Sequence, residues 1–276
     1  MVRSTSPEFA AQARRLFCHF RPEPADGAKA DLTLSFLIGT TAEGINSGSL
    51  HRCYSGCTPI GRTSSFYQLF RQLEWQLNLF VVLGVNDRCI LHAGAVSRDG
   101  FGVVFPGPSG NGKSVLTMSL LLQGYRYLSD ELAVIDPASG ELHPFPKPIG
   151  IKDISVCPDL AHRRELWWGP KPGENIDAGS CWYVDPDDIA PKSVSGPVPV
   201  RYIVFPRYDP NARPGLEELS PGQAMRGLLN NSVNFPRIRR EGLHLLVKLV
   251  QEARCLSLTT NCLDQATEAI NELTSR

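Results

Sequence analysis

The chain has 276 residues, 28 basic against 28 acidic side chains, and 42% hydrophobic content. A length of this order accommodates one large domain, or one domain with a small extension, and enough apolar residues to build a packed core. Balanced charge removes the attraction on which non-specific nucleic-acid binding depends, so DNA and RNA are not expected partners.

The N-terminal stretch mixes charged and polar residues and lacks the long apolar run of a secretory signal. Eight cysteines are spread through the chain rather than set in a dense framework, which points to free thiols in a reducing cytoplasm. His51, Cys53 and Cys57 supply half the makings of a zinc site, but no second Cys/His pair of ligand spacing follows. Residues 32–38 alternate and predict a strand, residues 42–49 are turn-rich, and residues 52–63 contain three Gly or Pro breaks. Residues 1–65 therefore read as a small β-rich or irregular region with no assigned role.

A helix is predicted over residues 66–83. Phe66, Leu69, Phe70, Leu73, Leu77, Phe80 and Val81 recur at helical spacing and form a stripe for a core, and Gly84 suits a C-cap. The same stretch is the most hydrophobic of the chain, yet it carries Arg71, Gln72, Glu74, Gln76 and Asn78. A charge near the bilayer centre costs about 2.5–3.5 kcal/mol, so a soluble helix is expected and no membrane association.

A compact α/β pattern follows. Residues 89–95 and 102–105 predict strands joined by a tight turn at Asp99-Gly100. A helix over 113–123 is stopped by Gly124, and a short strand over 125–128 ends at Ser129-Asp130-Glu131. Residues 132–135 and 141–145 predict a hairpin. Pro144, Pro146, Pro148 and Pro158 stiffen the next stretch, and residues 163–191 are loop-rich. A strand over 200–205 and helices over 222–229, 239–252 and 263–273 complete a catalytic domain spanning residues 66–276.

The chemistry concentrates between residues 107 and 131. Gly107-Pro108-Ser109-Gly110-Asn111-Gly112-Lys113-Ser114 satisfies G-x-x-x-x-G-K-[ST], between a predicted strand and a predicted helix. Its glycines let backbone curl around phosphates, and its exposed N–H groups, continued by Val115, favour anionic oxygens at a helix N-terminus. Lys113 is expected to contact the β- and γ-phosphates of ATP, and the Ser114 hydroxyl to ligate Mg²⁺. A right-handed crossover to a neighbouring parallel strand brings Asp130 and Glu131 to the edge where the loop lies, one strand spacing of about 4.8 Å away. One carboxylate then faces an acceptor hydroxyl and the other a metal. His92, on the strand before the one that leads into the loop, reads either as a core histidine or as a group that orients Asp130. Arg207 is a candidate phosphate or acceptor contact on residue type alone.

His92, the loop at 107–114 and Asp130-Glu131, in that order and spacing, resemble the catalytic domain of bacterial HPr serine kinase/phosphorylase. Leu91-His92-Ala93-Gly94-Ala95, Leu128-Ser129-Asp130-Glu131-Leu132, Pro148-Ile149-Gly150-Ile151-Lys152 and Val204-Phe205-Pro206-Arg207-Tyr208 are similar to its HPr-kinase-related kinase A branch. The resemblance implies an α/β P-loop kinase domain of the PEP-carboxykinase-like type. It implies Asp130 as the base, His92 as its support, Glu131 at a magnesium-serving position, and self-association into a homo-oligomer. The family's Glu-x-Arg-Gly signature is absent. Ile149-Gly150-Ile151-Lys152-Asp153 stands near its place, where Lys152 offers positive charge to phosphate or acceptor and Asp153 a carboxylate to metal. The resemblance thus implies a kinase acting on a Ser/Thr hydroxyl of a protein or ribosomally made peptide. A small-molecule kinase and a nucleotide-binding regulatory module are the competing readings.

Overall fold

The structure is a computed structural model that describes residues 1–20, 30–39, 50–170 and 181–275. The turn-rich segment 42–49 and part of the loop-rich segment, residues 171–180, lie outside the described residues. Two sheets of unequal size share the long helix predicted after residue 65.

The small sheet takes β1 (Val2–Ser4), β2 (Leu34–Leu37), β3 (His51–Ser55) and β4 (Thr58–Thr63) in sequence order. Between β1 and β2 runs α1 (Pro7–Leu16), a helix in a region read as β-rich or irregular. Ser6 accepts from the Phe9 N–H as N-cap, Pro7 occupies the first turn, and Phe9, Ala13 and Leu16 turn inward. Next comes α2 (Phe66–Gly84), capped by Ser65. Its stripe is fully buried only in its first half, while Leu77 and Val81 further along are half-buried against two different cores. Leu69, Phe70 and Leu73 are buried with Phe9, Leu34, Phe36 and Cys53, while Phe80 is exposed. Each fully buried side chain of this kind contributes about 1.5–3 kcal/mol. The helix ends without a left-handed glycine: Val85 is the cap, in extended conformation, and its N–H bonds the Val81 carbonyl.

The remaining strands are β5 (Cys89–Arg98), β6 (Phe101–Pro106), β7 (Arg126–Ser129), β8 (Leu132–Ile135), β9 (Glu141–His143), β10 (Ile149–Ile151), β11 (Trp182–Val184), β12 (Val198–Tyr208), β13 (Gly215–Glu218) and β14 (Arg254–Thr260). The helices among them are α3 (Lys113–Leu122), α4 (Pro158–Ala161), α5 (Pro186–Ile189), α6 (Pro221–Asn231), α7 (Phe235–Glu252) and α8 (Leu263–Thr274). Among the described residues, eight strands form the main sheet in the order β13-β14-β12-β6-β5-β8-β9, with β7 also paired to β5. β9 pairs with both β8 and the first residues of β12, so this part of the sheet curls back on itself. The pair β10–β11 stands apart. Mixed α/β architecture is thus as expected.

The β5–β6 turn has Asp99 at φ 50 and Gly100 at φ 81, the left-handed pair that a two-residue hairpin demands. After α3, Gly124 at φ 87 terminates the helix. Its N–H bonds the Leu121 carbonyl, and the Tyr125 N–H reaches back to Leu120.

One topological expectation is corrected. β6 and β7 are both antiparallel to β5, hence parallel to each other, but β5 lies between them. The crossover through α3 therefore skips a strand. The strand ends still share one edge, two strand spacings apart rather than one. α3 lies close over β5 because Gly94 has no side chain. A Cβ there would come within 3.0 Å of the Thr117 hydroxyl and 3.5 Å of the Lys113 Cβ.

Candidate active site

Backbone hydrogen bonds draw three segments to one point. The Gly107 N–H donates to the His92 carbonyl at 3.3 Å, and the Ala93 N–H to the Glu131 carbonyl at 2.9 Å. The buried Ser129 hydroxyl oxygen accepts from the N–H groups of Glu131 (3.2 Å) and Leu132 (3.0 Å), which fixes the turn that aims Asp130 and Glu131.

Within the loop, Gly110 (φ 95) and Gly112 (φ 80) hold left-handed backbone, and no heavy atom lies within 4 Å of where their Cβ atoms would sit. Gly112 caps α3 without any side-chain hydrogen bond, so the first N–H groups of a ten-residue helix remain available. Lys113 is folded back and buried, and its ammonium donates to the carbonyls of Gly107 (2.8 Å) and Pro108 (2.9 Å). Burial pulls its pKa down, and the charges of Asp130 and Glu131 oppose that.

Asp130 is buried at the centre. Its Oδ1 accepts from the Tyr127 hydroxyl (3.2 Å) and the Lys147 ammonium (2.9 Å). Its Oδ2 faces the loop, with the Ser114 hydroxyl at 3.3 Å and the Gly150 N–H at 3.4 Å. Glu131 is held by the Asn78 amide (2.8 Å) and Lys147 (3.2 Å). Burial pushes the Glu131 carboxyl up, but Lys147 and its own hydrogen bonds outweigh burial and hold it below the usual range.

The residues that reading the sequence missed are Lys147, Glu74 and Tyr127. Lys147 is 2% exposed and pairs with Glu74, Asp130 and Glu131. Desolvation works against its charge, yet the three carboxylates raise its pKa well above the ordinary value. Glu74 also accepts from the Tyr183 hydroxyl at 3.0 Å, and burial raises its carboxyl pKa against the pull of Lys147. Lys147 faces three carboxylates, and Lys113, Lys152 and Arg71 line the same cavity, so its carboxylates and cations are balanced. The oxygen donors of Ser114, Asp130 and Glu131 are of the kind that a hard divalent cation such as Mg²⁺ takes.

His92 is half-buried in the wall of the same cavity, which has a volume of about 390 Å³ and includes Ser109, Lys113, Ser114, Asp130, Glu131 and Lys152. Burial first, then the Lys113 charge, lowers its imidazole pKa below 6.5. The ring is therefore neutral at pH 7 and able to accept a proton. A rate that needs neutral His92 is expected to hold down to below pH 6.5, and His92→Gln is expected to abolish that acid limb. A pH profile of kcat/KM with an unchanged limb in the variant would assign it elsewhere.

Lys152 is exposed at the rim of this cavity. Asp153 also lines it, but its carboxylate accepts from the Ser155 N–H at 2.9 Å as cap of the turn that follows. Arg207 lies outside the cavity: it is exposed and pairs with Asp209 at 3.2 Å. Side chains alternate along β12, so Pro206 and Tyr208 face the loop side and Arg207 the other. His51 and Cys53 are buried with the small sheet, where the Nδ1 of His51 accepts from Gly39, and Cys57 is exposed in the β3–β4 turn. Metal-like spacing among the described residues occurs instead at Cys18, His19 and Asp185. There the Cys18 thiol donates to Asp185 and is pushed up to about 11, by burial first and then by that carboxylate, which keeps it protonated. No helix among the described residues is long and apolar enough to cross a membrane.

No protein-family model matches the chain, and no curated protein matches it. Among solved structures, an HPr(Ser) kinase/phosphatase from Coxiella burnetii superposes with a TM-score of 0.33 at 11% identity, covering 67% of this chain and 97% of that one. A superposition that loose carries no weight for fold or activity.

Proposed function

We propose that the chain is an ATP- and Mg²⁺-dependent kinase that transfers the γ-phosphoryl group to a Ser/Thr hydroxyl of a protein or ribosomally made peptide. The observation that carries this reading is the 3.3 Å approach of the Ser114 hydroxyl to Asp130 Oδ2, at the mouth of an uncapped glycine loop. Mg²⁺, held by Ser114 and Glu131, would neutralise charge on the phosphates and leave Asp130 Oδ2 free for the acceptor proton. The protein's own groups do the rest. Loop N–H groups and Lys113, swung away from the Gly107 and Pro108 carbonyls, hold the phosphates. The acceptor oxygen bonds to Pγ, the bond from Pγ to the β–γ bridging oxygen breaks, ADP departs, and the hydroxyl proton passes to Asp130 Oδ2. Lys147 and Tyr127 fix the other oxygen of Asp130, which orients the base.

Lys113→Ala is expected to weaken ATP binding about tenfold or more, the loss of one charge-assisted contact. Isothermal titration calorimetry checks it, and unchanged affinity would remove Lys113 from the phosphate site.

A small-molecule acceptor is favoured by the modest cavity of about 390 Å³ beside Asp130. The destination of the phosphate decides between the two acceptors. Incubation of labelled ATP with peptides and proteins, followed by acid hydrolysis, is expected to yield phosphoserine or phosphothreonine. Label recovered only in compact metabolites would establish the second reading.

A further inference from the structure

The cavity beside Asp130 continues past the loop into a second one of about 490 Å³. Gly110, Gly112, Val115 and Val156 line both. β6, β12 and β14 run parallel, so their C-terminal ends share an edge. The crevice outside the carboxyl ends of parallel strands is where such sheets take ligands. The floor of the second cavity is apolar: Leu116 of α3, Leu258 of β14 and Ala266 of α8 are all nearly fully buried. Its rim is not. Tyr208, at the end of β12, is 56% exposed, and Asn261 stands beside it on the wall. The Asn111 amide donates to the Pro206 carbonyl at 3.0 Å, which ties the loop to β12 and fixes the wall between the cavities.

An apolar slot with an aromatic face and a few amide groups recognises a flat heteroaromatic ring. We propose that this second cavity holds the base and ribose of a purine nucleoside triphosphate whose phosphates lie on the loop. The proposal rests on the phosphate-binding part of the reading above and adds what that part lacks, since the loop contacts phosphates alone. The base packs against Leu258 and Ala266 with Tyr208 over one face, and the ribose passes Gly110 and Gly112 to the phosphates. The volume lies within the range of about 300–1,000 Å³ usual for small-molecule sites, and a bicyclic base with its sugar fills it better than a single ring.

Titration calorimetry with Mg²⁺ separates the two parts, using ATP and inorganic tripolyphosphate as probes. Wild-type protein is expected to bind ATP about tenfold or more tighter than tripolyphosphate, as stacking of a base on an aromatic side chain provides. Tyr208→Ala removes the exposed ring, and Leu263→Trp adds bulk to a half-buried position on the cavity wall. Both variants are expected to bring ATP down to the tripolyphosphate affinity and to leave tripolyphosphate unchanged. Equal affinities for the two probes in the wild type, or variants that leave ATP affinity intact, would overturn the nucleoside site while sparing the phosphate loop. CTP binding as tightly as ATP would overturn the purine assignment. Tripolyphosphate that fails to bind the wild type, or that binds Lys113→Ala equally well, would overturn the phosphate loop itself.

Discussion

Asp130→Asn is expected to reduce phosphoryl transfer by about 10²–10⁴-fold, the range a positioned general base provides, and to leave ATP affinity within a few-fold of wild type. The substitution is nearly isosteric: the amide oxygen can keep the Tyr127 and Lys147 contacts at the Oδ1 position, while the amide nitrogen at the Oδ2 position can donate to the Ser114 hydroxyl oxygen and loses the Gly150 N–H. What it removes is the proton-accepting capacity and the charge. Lys147 keeps Glu74 and Glu131 as partners, so the fold is expected to survive. Single-turnover kinetics with saturating ATP checks the prediction. A variant that transfers at the wild-type rate would remove Asp130 from the chemistry. A variant that loses ATP binding in proportion would make it a binding residue only.

Lys147→Met is expected to destabilise the fold by about 3–5 kcal/mol, because it strands buried carboxylates without their counter-charge. The side chain is 2% exposed, and all three of its carboxylate partners lie within the same cluster. Adding Glu74→Gln is expected to restore a large part of the stability, since Glu74 is the carboxylate whose burial already raises its pKa. Denaturant unfolding of both variants measures this, and equal destabilisation of the single and double variants would contradict the arrangement.

The same cluster sets a pH window in the wild type. The Lys147 pKa is raised above its ordinary 10.5, so its contribution is full below that value and is lost as pH rises through the higher folded pKa. The Glu131 pKa is lowered below 4.5, so its contribution is full above that value and is lost as pH falls through the lower folded pKa. Both contributions are therefore present together between about pH 4.5 and 10.5.

What was legible in the sequence was local. The strand, glycine loop and helix over 101–122 declare themselves within twenty-two residues, because Gly110 and Gly112 hold left-handed backbone that other residues rarely adopt. Asp130 was reachable because a crossover returns the chain to the same edge. The order of strands was not, since nothing in residues 89–98 says that β5 lies between β6 and β7. Lys147 was hidden for a different reason. It stands between Pro146 and Pro148 with no periodic pattern, and its partner Glu74 is 73 positions away. Glu74 and Asn78 did leave a trace, as polar residues one helical turn apart in an otherwise apolar helix, both reaching the site. For α1 the spacing of Phe9, Ala13 and Leu16 was present, but ten residues flanked by polar sequence carried too few repeats to stand out. Arg207 was misplaced by alternation: its neighbours Pro206 and Tyr208 line the second cavity, and its own side chain points to the other face.

The most direct test of the account follows the γ-phosphoryl group of labelled ATP with Mg²⁺, wild-type protein and Asp130→Asn in parallel, over a panel of hydroxyl-bearing peptides, proteins and metabolites. The account predicts an acid-stable labelled product that requires Mg²⁺ and disappears with Asp130→Asn. Label that remains in ATP or appears only as free phosphate, with no difference between the two proteins, would contradict it.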